Sequence, residues 1–226
     1  MVKLAFRSVC NMLTLAMSLG SPFTLGQAQG HLSSGRLGDR ITWKQANPLT
    51  FLEESVETYD VAVLAHCLWY FSSPAVIAKT LQLLSSRAKK VCIAEWSLSA
   101  STDHSSAHVL AVLAQAALEC RKAESESNVR TVVSPLRIKE LAAGSGWTLE
   151  QETSLSPGPG VRDGVWEASA VVSPSFEEAA NDHVLDGRER GVVLALRDAV
   201  ATSVVQLGGT KNVTAMDVWI GVFSSA

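Results

Sequence analysis

Three short stretches of this chain combine groups that can move protons with rings that can bind a flat ligand. The first is His66-Cys67-Leu68-Trp69-Tyr70. Imidazole is the side-chain type that titrates nearest neutrality, so His66 is a candidate acceptor for a proton from a hydroxyl or amine. Trp69 and Tyr70 offer faces for stacking on an adenine or a substrate ring. The second stretch is Glu95-Trp96. A glutamate ending an otherwise apolar run needs a partner, and its carboxylate can orient an amine or hydroxyl. The third is Asn47-Pro48, where the side-chain oxygen can accept a bond from an amino group, although a simple Asn-Pro turn explains it equally well. Asp103-His104 with His108 places two histidines at i, i+4. Without a third ligand or an H-E-x-x-H pattern they read as solvated helix-start residues, and no metal is expected. His31 reads as a packing residue. Trp166, within Asp163-Gly164-Val165-Trp166-Glu167, reads as a large ring buried in the sheet.

The surrounding elements decide whether these groups meet. Residues 60–68, DVAVLAHCL, form an almost unbroken apolar run, as a strand covered on both faces does. Ser72-Ser73-Pro74 then caps a helix over 73–88, with Ile77, Leu81, Leu84 and Ala88 at helical spacing. A second buried strand follows at 90–98. Together they make a right-handed βαβ unit whose two strands should be adjacent, central and parallel. Ligands of such sheets sit beyond the carboxyl ends of the strands, which would place His66 and Glu95 at one cleft. Further elements read as a short strand at 40–45, a helix at 105–123 and another from Ser134-Pro135 to Gly144. The pattern then predicts an antiparallel pair of strands, 148–155 and 164–172, around the loop 156–160. A charged helix should run from Glu177 to Asp198 with its stripe continuing to Val204, and 216–223 should be a closing strand or a packed tail.

Several segments point to a family. SPFTLGQAQGHL (21–32), YDVAVLAHCLWYF (59–71), VCIAEWSL (91–98), NVRTVVSPLRIKELAAGSGW (128–147) and VRDGVWE (161–167) resemble small fungal methyltransferase-like proteins of secondary metabolism. These are similar to class I S-adenosylmethionine-dependent methyltransferases. The resemblance implies an α/β fold: a Rossmann-like, mostly parallel sheet with a C-terminal antiparallel hairpin. It implies S-adenosylmethionine as cofactor and a small-molecule substrate. His66 and Glu95 would then be catalytic, Asn47, His66 and Trp69 would hold the cofactor, and Tyr70, Trp96 and Trp166 would line the substrate pocket. Asn47 would stand where many relatives place an acidic residue for the adenine amino group. Such enzymes open with a strand and a glycine-rich turn, whereas residues 1–20 contain one glycine, Gly20, and no acidic residue. The N-terminal βα unit is therefore expected to be missing or replaced.

Composition narrows the alternatives. The 226 residues are 47% hydrophobic with a net charge of −3, too apolar for a disordered chain. Nineteen basic against 22 acidic residues argue against a nucleic-acid partner. The four cysteines, at 10, 67, 92 and 120, match no zinc or redox spacing and read as reduced thiols of a cytoplasmic protein. The apolar stretch in 1–20 is too short to span a bilayer, and with Arg7 and Asn11 inside it we expect a packed helix over 3–19 rather than a leader. The expected division is an N-terminal segment (1–20), a methyltransferase-like α/β domain (21–175) and a C-terminal helical extension (176–226). The leading function is methyl transfer to a small molecule. The alternatives are a non-catalytic binding protein of the same fold, or a cofactor-free cyclase or isomerase using the substrate pocket.

Overall fold

The computed structural model describes residues 24–125 and 127–225, so the helix expected at 3–19 lies outside the described residues. The described residues begin with α1 (Leu25–Ser33) and α2 (Pro48–Glu54). The βαβ unit follows as β1 (Tyr59–Ala65), α3 (Pro74–Ser85) and β2 (Ala88–Trp96). Next come α4 (Asp103–Glu119), α5 (Pro135–Gly144) and β3 (Trp147–Leu155). Three helices, α6 (Asp163–Val172), α7 (Pro174–His183) and α8 (Gly187–Gln206), precede β4 (Val218–Ser225).

The strands form one sheet in the order β1-β2-β4-β3. β1 and β2 are parallel, with Val63 opposite Cys92, and α3 joins them as expected. β4 is antiparallel to both β2 and β3. The fold is thus α/β, a Rossmann-like sheet that starts parallel and ends antiparallel. Serine and proline set α3 as the sequence indicates: Ser73 Oγ accepts from Val76 N, with Pro74 in the first turn.

Four expectations need correction. Residues 41–47 form no strand. Trp43 instead donates its indole N–H to Ser33 Oγ, and Asn47 spends its side chain capping α2. Residues 164–172 are helical, and β4 supplies the antiparallel partner of β3. Gly164, Ala168 and Val171 are all buried at i, i+4, i+7, a helical period masked by the β-branched residues around it. The charged helix is two helices, because Asp186 Oδ1 accepts from Arg188 N and Glu189 N and starts α8 afresh. Finally, β1 is adjacent to β2 but is an edge strand among the described residues, and Tyr59 to Leu64 are only half-buried.

Two apolar cores result. One lies between the sheet and helices α3 and α5, around Ile77, Leu81, Val91, Ile93, Ile138 and Phe223. The other holds α4 against α6, α7 and α8 through Ala107, Ala111, Ala114, Ala168, Val193 and Val200. Its alanines let the helix backbones approach closely. The segment 176–226 shares the sheet through β4, which sits between β2 and β3.

A close approach between helix and strap lies at the start of α6. A Cβ on Gly164 would stand 2.3 Å from Thr214 O and 2.6 Å from Thr214 C, both backbone atoms. Gly164→Ala should therefore cost about 1–3 kcal/mol of stability by overpacking. Urea denaturation should show a lowered midpoint with unchanged slope, and an unaltered midpoint would contradict this packing.

Candidate functional site

β1 ends at Ala65, and the next residue, His66, has φ of 47°, in the left-handed region. Leu98, just past β2, has φ of 56°. Neither is a glycine, and such conformations persist only where surrounding contacts enforce them. Here the enforcing group is Glu95. Its carboxyl is 1% exposed; Oε2 accepts from Leu68 N at 3.0 Å and Oε1 from Trp96 N at 3.0 Å. His66 N donates to Ala94 O at 2.8 Å, so the turn after β1 is pinned to the end of β2 from both sides.

These bonds bring His66, Glu95 and Trp96 together. His66 Nδ1 lies 3.6 Å from Glu95 Oε1, is buried and has no hydrogen-bond partner. The carboxyl group favours the tautomer with its proton on Nδ1. Nε2 then carries a lone pair on an imidazole whose side chain is 39% exposed. The Trp96 ring packs tilted against His66, 4.4 Å between centroids. The left-handed turn also means that Cys67 does not continue the alternation of β1.

The other expected site residues go elsewhere. Trp69 is buried and donates its indole N–H to Val133 O at 3.1 Å, so its ring fills the core and does not stand at the cleft. Asn47 Oδ1 accepts from Leu49 N and Thr50 N, so the oxygen expected for an adenine amino group caps a helix. Tyr70 closes a 3-10 turn and is half-exposed. Trp166 lies on α6 rather than on a sheet strand, with its ring partly in solvent.

Sequence reasoning missed His108. It is fully buried, not solvated, and packs edge-on with Trp96, at 5.1 Å between centroids. Its Nδ1 accepts from Met216 N at 2.9 Å, which leaves the proton on Nε2, an atom with no hydrogen-bond partner. Its place with Ala107, Ala111 and Val112 on the apolar side of α4 was the available signal. The neighbouring His104 donates from Nδ1 to Asn212 O at 2.8 Å. Among the described residues no group of three or more His, Cys, Asp or Glu can hold a metal ion.

No protein-family model matches the chain. Two curated relatives, the methyltransferases phomM' and phomM of Diaporthe leptostromiformis, are each 28% identical over 236 aligned positions. The match covers 88% of this chain and 61% of each relative, so the chain spans less than two thirds of their length. A solved structure, a cyclopropane-fatty-acyl-phospholipid synthase-like protein from Lactobacillus casei, superposes with a TM-score of 0.73 at 27% identity. It covers 91% of this chain and 71% of the solved chain. The motif resemblance holds: the chain is similar to class I S-adenosylmethionine-dependent methyltransferases.

Burial, and then the neighbouring His66, lower the pKa of His108 from 6.5 to about 4. The unfolded chain therefore binds the extra proton first as pH falls. Stability should decline from about pH 6.5 towards 4 by up to about 3 kcal/mol, and level off below. Urea unfolding at pH 7 and 4.5 measures this. His108→Gln, whose amide oxygen can still accept from Met216 N, should lose most of the dependence. An equal slope in that variant would place the effect elsewhere.

Proposed function

We propose that the chain transfers a methyl group from S-adenosylmethionine to a small-molecule acceptor in secondary metabolism. The observation that carries the acceptor side is His66, held against buried Glu95 at the carboxyl ends of the parallel strands β1 and β2. Methyl transfer itself is supported by the similarity to the two fungal methyltransferases. The role in secondary metabolism is supported by the motifs shared with small fungal methyltransferase-like proteins. Thiols outside any disulfide at Cys92 and Cys120 support a reducing, cytoplasmic setting. Among the described residues no helix is long and apolar enough to cross a membrane.

The cofactor would supply an electrophilic methyl group. Asn47 and Trp69, expected to hold it, are committed to backbone partners, so the described residues fit the donor only in part. What this chain contributes is the acceptor side. His66 Nε2 takes the proton that an amine or hydroxyl acceptor loses as its bond to carbon forms. Glu95 is a positioning residue: it fixes the turn, and it balances positive charge on the imidazole. Trp96 holds the ring plane against one face.

A second reading is a methyltransferase-like protein that binds a ligand without catalysis, and the committed Asn47 and Trp69 favour it. One experiment separates the two. Titration calorimetry with S-adenosylhomocysteine, paired with methyl-transfer assays on amine and phenol acceptors, should show binding and turnover. His66→Ala should lower turnover by about two to four decades while leaving donor affinity within a few-fold. Turnover near the parent's would remove His66 from the chemistry. A parent that binds no donor would favour the second reading.

A further inference from the structure

A depression of about 200 Å³ opens beside the start of α4, away from the Glu95 carboxyl. Its walls come from three segments that the fold brings together: His104 on α4, Val161, Arg162 and Val165 at the entry to α6, and Lys211 and Val213 on the strap before β4. No carboxylate lines it. Among the described residues neither Arg162 nor Lys211 makes an ion pair, unlike Lys139, which pairs with Glu152.

The backbone adds to this bias. Arg162 occupies the N-cap position of the ten-residue α6 and supplies no side-chain cap, so the first-turn N–H groups lack a side-chain acceptor. Asp163, the acid nearest in sequence, is not part of the lining. It instead raises the pKa of Glu167, after burial, on the inward side of the helix. The rest of the lining is the apolar Pro159, Val161, Val165 and buried Val213, together with Asn212 and Thr214 of the strap.

The strap is fixed in place by His104, whose Nδ1 donates to Asn212 O while its backbone oxygen accepts from Thr214 N at 3.0 Å. The depression is therefore built into the fold and does not depend on a loose loop. Two unpaired cations over aliphatic walls, in a volume several times that of a water molecule, suit one class of ligand. We propose that this depression binds the carboxylate of a short aliphatic acid, with Arg162 and Lys211 on the carboxylate and the three valines on the chain. It is a site separate from His66 and does not rest on the methyl-transfer reading.

The probe is hexanoate, titrated into the full chain by calorimetry, with hexylammonium and inorganic phosphate as separate arms. Hexanoate should saturate in the millimolar range and hexylammonium should not bind. Arg162→Gln with Lys211→Gln, both exposed side chains, should weaken hexanoate about tenfold or more at unchanged circular dichroism. Absence of saturation, or equal hexanoate affinity in the double variant, would overturn the proposal. Phosphate binding as tightly as hexanoate would also overturn it, since the valine walls would then contribute nothing.

Discussion

Everything at the carboxyl end of the sheet depends on how one buried carboxyl group is satisfied. Glu95 is 1% exposed, and an acceptor taken out of water costs several kcal/mol unless donors reach it. One donor, Trp96 N, is supplied by the next residue of the same strand. The other, Leu68 N, must come from the chain leaving β1, and it reaches Glu95 only if that chain doubles back at once. The left-handed turn at His66 is the consequence. A non-glycine residue there carries roughly 1–2 kcal/mol of strain, which one hydrogen bond to a buried carboxyl group can offset. The same turn carries the imidazole over the strand end, beside Glu95 and Trp96. The position of the candidate proton acceptor follows from satisfying its neighbour.

A second constraint ties that cluster to the far end of the chain. β4 enters the sheet between β2 and β3, and the residue before it, Asp217, is nearly buried. Its carboxylate accepts from Ser101 and Ser156, and its backbone oxygen accepts from Ser97. The loops that follow β2 and β3 are thus gathered on one acidic side chain. The strap leading to Asp217 also donates Met216 N to His108 and so sets the ring that backs Trp96. These links join residues 61 to 120 positions apart, so they form only when the last strand has docked.

How far this was legible varies by element for physical reasons. The β1-α3-β2 unit could be read because each signal agreed: a covered apolar run, a serine cap with proline in the first turn, and a second apolar run. The pairing of His66 with Glu95 followed from that unit alone. The α6 segment could not, because GVWEASAVV satisfies both a two-residue and a helical period, and its choice is made by α4 and the Thr214 backbone. The place of His108 near a helix start suggests a solvated residue, although Ala107, Ala111 and Val112 mark its face as apolar. Trp69 follows the end of β1 as expected, whereas Asn47 follows no strand and begins α2. Their side chains were claimed by a backbone oxygen 64 residues away and by a helix start, and sequence spacing encodes the first of these not at all.

The two histidines flanking Trp96 have environments that cannot be exchanged. His108 is wholly enclosed, with Nδ1 accepting a backbone N–H, so a proton added there would have to displace that bond and would meet no acidic partner. Burial and the nearby His66 both disfavour its charge. His66 has the opposite surroundings, with water on one edge of the ring and a carboxyl group 3.6 Å from the other. Charge arriving on His66 finds a carboxyl group on the side away from water, and Trp96 touches both imidazoles. The inner imidazole is thus a fixed support for the indole, while His66 is the ring that keeps contact with solvent.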